Sequence, residues 1–582
     1  VKPPIASPLC RRAWSIVLAA VALIIFMVSQ GRAGAGREQR FALGTERSQT
    51  YRFSFSEDLK HFAFLRWDYE ITRTNIQPAA RTSSTKLSRQ LSGGTYRADI
   101  TISPEVRGRN VVTVDGKVVG NYDEVVTPVL FNKTGDQFAF VITERDRPYS
   151  KQVVHNGKQS PKYQDVTDLG FSPEGSRLAY FAYAYDGERK RTRCYAIIDG
   201  VEVGWCDRGK EIIFASDGSS FAWSGTRQNS QAEPRYHVFH EDREFGPYSA
   251  LTALKFSTNG KRLAYAFSPQ DRAGMFVLND GIERFLHASP QSLTFSPDLK
   301  QLAYVGNDRM HLVTETETKD WACGHSQIKM QFSPDGKRFA FAANLRTNRY
   351  VVVDGNAGPP HVGYINDPVF SQTGKLVAYK LEITKPRERL STSYLVVNGT
   401  QQRWPIRSRL VFSADGEHYA FLTEQNGKFS AVLDGRPGTF LAGVASLDSL
   451  TISSNGTRTA WVLTPANQEP GYYGSCAVLD GKMQPTYRSV NSKSLQFSPS
   501  GRHFAYVASP AKGNGEFLVL NGIPSKPYQQ ILSSRGERDS GSESNGLLFD
   551  GEERIRYIAR DTTNLIIIEE ILPTYPPATT GR

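Results

Sequence analysis

Twelve times along this chain an aromatic or aliphatic residue enters a tight turn, and a bulky–Ala–aromatic triplet follows. The fullest copies read FSPEGSRLAY from Phe171 and FSPDGKRFAF from Phe332. The leading residues are Phe55, Phe131, Phe171, Phe214, Phe256, Phe295, Phe332, Phe370, Phe412, Ile452, Phe497 and Phe549. After one long step from Phe55 to Phe131 the period stays near 40 residues. A unit repeated at that interval must stack on its neighbours to bury a core. The period suits a four-stranded propeller blade or a two-helix solenoid repeat, and local chemistry decides between them. The segments after each turn alternate over two residues, as in Phe504-Ala505-Tyr506, which is strand periodicity. The turns are rich in Pro, Asp, Asn and Gly, which close short connections.

Eleven triplets keep alanine in the middle: Ala63, Ala139, Ala179, Ala222, Ala264, Ala303, Ala340, Ala378, Ala420, Ala460 and Ala505. In a strand the central residue points away from its two neighbours. A small side chain there lets the next sheet approach closely, while the bulky neighbours fill the opposite interface. The twelfth triplet, Ile555-Arg556-Tyr557, has arginine instead, as a terminal blade with one face towards solvent would tolerate.

A second motif follows each triplet: a β-branched run ending in Asp-Gly or Asn-Gly. Its glycines are Gly116, Gly157, Gly200, Gly355, Gly399, Gly435, Gly481 and Gly522. Asp-Gly and Asn-Gly between strands predict a type I′ hairpin, which needs positive φ at both central residues. An aromatic commonly follows, as at Tyr122, Tyr163, Trp205, Phe285, Trp404, Phe440, Tyr487 and Tyr528. Two hairpins per repeat give four antiparallel strands.

The Phe-Ser-Pro-Asp-Gly turn followed by Lys-Arg-hydrophobic-Ala-aromatic resembles the WD-repeat-like propeller repeats of the TolB type, from about Tyr51 to Ile571. The resemblance implies an all-β fold of β-propeller repeats, about twelve four-stranded blades. Such blades serve scaffolds, binding proteins and peptidase accessory domains alike. Propellers typically close with four to eight blades, so two rings are expected. A six-plus-six division puts the first propeller at 37–326 and the second at 327–572, with a disordered tail at 573–582. Seven plus five is the other arrangement. The last repeat has only three strands of its own, and Arg40 to Leu43 could supply the fourth, clasping the chain ends in one ring and making the other propeller an insertion.

Residues 1–36 are of a different kind. Arg11 and Arg12 precede an apolar run over 13–28, and Ala33-Gly34-Ala35 offers a cleavage site. This is the pattern of a secretory signal peptide, with an uncleaved anchor as the alternative, since the run falls short of the roughly 20 residues of a spanning helix. Either predicts an exported chain, periplasmic or extracellular, that touches membrane only through residues 13–28. The net charge of +12 becomes +8 when Lys2, Arg11, Arg12 and Arg32 are removed with no acids. The remaining bases are spread along the turns as a solvated surface. They would also suit an anionic envelope polymer. Nucleic acid is not an expected partner of an exported chain without a recognition motif.

Candidate chemistry is sparse. Cys194 and Cys206 lie symmetrically about the Asp199-Gly200 turn, so they should face each other across one hairpin. Export permits a disulfide there, although cross-strand geometry does not always favour one. Asp298, Asp335 and Asp415 recur at turns and need only cap backbone donors. His311 and His325 flank Cys323, with spacing too wide for zinc. Asn132, Asn398 and Asn455 head glycosylation sequons, two of which overlap repeat turns. No nucleophile elbow, phosphate loop or H-E-x-x-H is present, so no catalytic, cofactor or metal residues are assigned. Asn75 to Gly94, rich in Ser, Thr and Arg, is expected to be a loop, as is Ser533 to Gly546. The expected function is a non-catalytic scaffold binding an envelope protein or anionic polymer. The alternative is a propeller enzyme, a glycan lyase or hydrolase, with carboxylates gathered at a ring mouth.

Overall fold

The computed structural model describes residues 37–43, 48–78, 100–188, 190–228, 233–271, 274–279, 281–286, 292–306, 309–314, 317–324, 330–345, 348–361, 363–385, 390–466, 474–532 and 547–572. The expected leader, the Ser533 to Gly546 loop and the tail at 573–582 lie outside them. The fold is all-β: among the described residues the sole helical element is a single 3-10 turn, Ser492–Ser494.

Each repeat folds into an antiparallel sheet in chain order. The first repeat runs Ser48–Phe55, Phe62–Pro78, Ile100–Val114 and Lys117–Tyr122. The fourth and fifth share one long strand, Arg243–Phe256, and so form a seven-stranded sheet. First strands are kinked. In the second, eighth and eleventh repeats they break in two, as in Glu124–Val125 and Leu130–Phe131. In the third, fifth and tenth they bulge beside a positive-φ residue: Asp168 at 59°, Ala253 at 58° and Ser449 at 36°. A bulge bends its strand and increases the local twist, which curves each blade away from its neighbour.

The twelfth repeat completes its sheet with the strand Arg37–Ala42, which pairs antiparallel with Asn564–Ile571 from Arg37 opposite Glu569 to Ala42 opposite Asn564. The clasp predicted from Arg40 onward is present and begins three residues earlier.

Two polar devices recur at the turns, and Ser333 to Gly355 shows both. The Ser333 hydroxyl donates to Asp335 Oδ1 (2.6 Å) and accepts from the Arg338 amide (2.9 Å), while Asp335 also accepts from the Lys337 amide (3.1 Å). The Ser333 hydroxyl first, then the Lys337 amide, hold the Asp335 carboxyl below the usual range. Asp298 and Asp415 repeat the arrangement. These are the backbone caps expected of them. At the hairpin, Asp354 and Gly355 have φ of 50° and 85°, the left-handed pair that Asp-Gly supplies. The other seven Asp-Gly and Asn-Gly turns match it. The Asp354 carboxylate then reaches back, accepting from the Phe339 amide (3.0 Å) and from Arg338 Nε (2.9 Å). Arg338 in turn donates to Gly374 O of the next repeat (3.0 Å) and lies 5.5 Å from the centre of the Phe370 ring. Arg458 makes the same set with Asp480, Gly501 and Phe497.

Between repeats, the triplet works as its pattern predicts. All eleven alanines are fully or almost fully buried. Ala63 faces the second repeat with Val112, Phe140 and Val154, whereas its neighbours Phe62 and Phe64 face the twelfth. Ala505 and its neighbours Phe504 and Tyr506 divide the same way. Aromatics just after the fourth strand pack on the last residue of the next triplet: Tyr163 on Tyr180, Tyr487 on Tyr506 and Tyr528 on Tyr557. The His361 ring bonds the Tyr379 hydroxyl at 3.1 Å, filling the aromatic's place.

Two expectations need correction. Arg556 does not face solvent: it is 6% exposed and pairs with Asp550 Oδ2 (2.6 Å) and Glu569 Oε2 (2.9 Å). The twelfth repeat packs against the first, so its arginine is neutralised within its own sheet. The segment from Asn75 begins as strand, with Asn75 opposite Ser103 and Pro78 opposite Ile100, because Ile71-Thr72-Arg73-Thr74-Asn75-Ile76 carries β-branched residues suited to a pleated ribbon. Residues 79–99 lie outside the described ones. The core is also continuous across 326/327, where Ala303, Val305 and Met310 pack with Phe341, Ala343 and Val352.

Asp354→Ala removes both the left-handed tolerance and the cap. It should cost about 2 kcal/mol, read as a lower urea midpoint, and Asp354→Asn should lose less than half as much.

Candidate functional site

Cys194 and Cys206 are direct partners across the third hairpin, as expected. Both are free thiols and both are fully buried, against Phe181, Trp223 and Phe239. Trp223 and Phe239 stack at 3.8 Å behind them. The two thiols hydrogen-bond each other. That bond, ahead of burial, pushes the Cys206 thiol up and holds Cys194 down. Space for Cys206 comes from Gly225 in the next sheet, where a Cβ would meet its Sγ at 2.6 Å. With no solvent access, neither thiol can reach a substrate.

Beside the pair lies a network that no local motif announces. The guanidinium groups of Arg193 and Arg227 sit 3.9 and 4.1 Å from the Trp205 ring centre. Arg193 pairs with Asp186 (3.2 Å), and Arg227 pairs with Glu244 (2.6 Å) and donates to Trp205 O. His237 also reaches Glu244, at 2.8 Å. Its charges nearly balance, so the arrangement joins the third and fourth repeats rather than attracting an anion.

A carboxylate pair lies on neighbouring first strands, at Asp168 and Glu211. Burial pushes the Glu211 carboxyl up; Lys210, 4.0 Å away, offsets part of this and Asp168 adds to it. Among the described residues Glu211 is the acid whose pKa is raised. Asp168 Oδ2 accepts weakly from the Ile212 amide (3.3 Å). Sequence reasoning missed the pair, since its members come from different repeats.

A cavity of about 410 Å³ opens on the eleventh repeat between the ends of its first and second strands. Ser489, Asn491, Ser492, Lys493, Ser509 and Glu516 line it. The Ser489 and Ser509 hydroxyls bond each other at 3.1 Å, and Glu516 accepts from the Ile531 amide at 2.7 Å. These groups can hold a small polar molecule. They include no hydroxyl hydrogen-bonded to a histidine or carboxylate base of the kind that activates a nucleophile.

The remaining sequence candidates are structural. His311 stacks on Tyr304 at 4.7 Å and contacts Gly306 O, while Cys323 is buried and His325 lies outside the described residues. The sequon asparagines cap turns: Asn132 donates to Gly175 O, Asn398 accepts from the Val377 amide, and Asn455 donates to Ser500 O.

No family model matches the chain, and no curated protein sequence does. Solved structures show similarity, among them the following three. One is described as a eukaryotic initiation factor: 13% identity, TM-score 0.32, covering 66% of this chain and 94% of that one. A prolyl endopeptidase shares 12% identity at TM-score 0.25, covering 52% and 54%. The β-propeller domain of the Trilobed protease from Pyrococcus furiosus, described as having an open velcro topology, shares 14% at 0.23, covering 48% and 94%. Likenesses this distant carry no functional argument.

Two outcomes follow. In the folded chain both thiols should resist glutathione disulfide and a maleimide, and in urea both should be alkylated, read on their peptides by mass spectrometry. Gly225→Ala should displace Cys206 and open it to the maleimide without urea. For Glu211, the folded pKa exceeds the ordinary 4.5, so the folded chain holds the proton more tightly than the unfolded one. Its favourable contribution is complete below 4.5 and lost as pH rises through the folded value. Glu211→Gln should therefore raise Tm at pH 7 and have little effect near pH 4; an equal gain at both would show an ordinary carboxyl.

Proposed function

We propose that this chain is an exported, non-catalytic scaffold of TolB-type propeller repeats that binds an envelope protein or anionic polymer through its loop faces. The observation that carries this reading is the employment of its reactive-looking side chains. Turn acids cap amides, sequon asparagines cap turns, arginines tie one repeat to the next, and the cysteines are sealed in the core. What remains for recognition is a rigid frame of loops, the usual place for binding residues, with a surplus of eight positive charges once residues 1–36 are removed. The leader-like segment supports export.

Affinity capture from envelope extract with the tagged chain should enrich a discrete partner that rebinds after purification. An anionic polymer should dissociate as salt rises, because exposed charges are screened over about 8–10 Å at physiological ionic strength. Failure of any purified component to rebind would remove this reading. The Asp168–Glu211 pair favours a second one, a glycan lyase or hydrolase, since two carboxylates on neighbouring strands, one pushed up by burial, are the parts of acid–base chemistry. Turnover of an acidic glycan, abolished by Glu211→Gln, would establish that instead.

A further inference from the structure

The packing between repeats follows a circuit. We propose that all twelve repeats close as a single ring with an open axial passage, sealed by the strand Arg37–Ala42. This stands apart from the identity of any partner.

Two separate rings would need seams between repeats that are not neighbours in the chain: the sixth against the first and the seventh against the twelfth when serial, or one within each ring when one is an insertion in the other. No hydrophobic cluster among the described residues forms such a pair of seams. Instead, eleven clusters each join one repeat to its successor in the chain, and the twelfth joins the last repeat to the first. The sixth and seventh meet with the elements used everywhere else, the triplet Ala303 of one against Phe341 of the other. The twelfth and first meet through Ile558 and Leu565 against Phe53, Phe62 and Phe64. A chain of repeats whose last member packs on its first is closed.

The closing seam is the one built differently. Arg556 replaces the triplet alanine there, and the outer strand of the twelfth sheet comes from the opposite end of the chain. Phe41 of that strand reaches across to Phe62, ring centres 4.6 Å apart. Glu38 accepts from the Tyr528 hydroxyl (3.0 Å) and pairs with Lys526, while Arg40 pairs with Asp561 at 3.1 Å. The strand thus ties the eleventh, twelfth and first repeats together.

Ring size fixes the centre. Sheets pack about 10 Å apart and strands lie about 4.8 Å apart. Twelve blades at that spacing put the innermost strands about 12 Å from the axis, against about 3 Å for six. After about 5 Å for backbone and side chains, the passage is about 14 Å wide, enough for an extended polymer or a single helix of about 10–12 Å.

Electron microscopy of the purified full chain tests this directly. End-on class averages should show one annulus about 60 Å across with a hole at its centre. Two lobes, or any ring of fewer blades, would overturn the single closure. A chain beginning at residue 44 should lose the closed annulus and open into an arc. If the ring stays intact without the strand, the sealing role falls while the ring stands.

Discussion

The approach of one sheet to the next at a fully buried alanine is the constraint on which this structure rests. Each alanine-centred triplet offers a methyl group to the following repeat and its flanking side chains to the preceding one. Burying a large aromatic contributes about 1.5–3 kcal/mol relative to exposure, and these positions recur in every repeat. A larger residue in place of the methyl would force the sheets apart, and overpacking of this kind typically costs about 1–3 kcal/mol. Stability is therefore held in the interfaces, and an isolated repeat would expose both faces of its sheet.

The polar groups serve the same end. A β-rich repeat protein has many turns, and each leaves amides that must find acceptors. Ser333 and Asp335 satisfy them inside the turn, and Asp354 satisfies another from the hairpin. Arg338 then carries the ionic partner of that hairpin to the backbone of the next repeat. A carboxylate, a hydroxyl and a guanidinium close together would elsewhere suggest catalysis. Here their period matches the repeat, and periodic chemistry belongs to the scaffold. Asp168 with Glu211 departs from that period, which is why the pair stands out.

Much of this was legible in the residue pattern. Alternation around alanine gave the strands and their facing directions, Asp-Gly and Asn-Gly gave the hairpins, and the symmetry of Cys194 and Cys206 about Asp199-Gly200 gave their pairing. Arg556 was misjudged because a lone arginine reads as solvent-facing until Asp550 and Glu569 are seen beside it. The Arg193–Trp205–Arg227 network and the Glu211 carboxyl were invisible for a related reason. Their members belong to different strands or repeats, and no fixed spacing connects them.

What the sequence determined alone is the blade: strand periodicity, turn chemistry and side-chain size act within some forty residues and need no distant partner. Which blades touch was decided only in three dimensions. Every repeat carries nearly the same two faces, so the pattern allows any repeat to follow any other, and ring membership cannot be read from it. The contact of Leu565 and Ile558 with Phe62 and Phe64, and the pairing of Arg37–Ala42 with Asn564–Ile571, join residues some five hundred positions apart. Long-range closure of that kind depends on accumulated blade angle, a property of the assembled sheets.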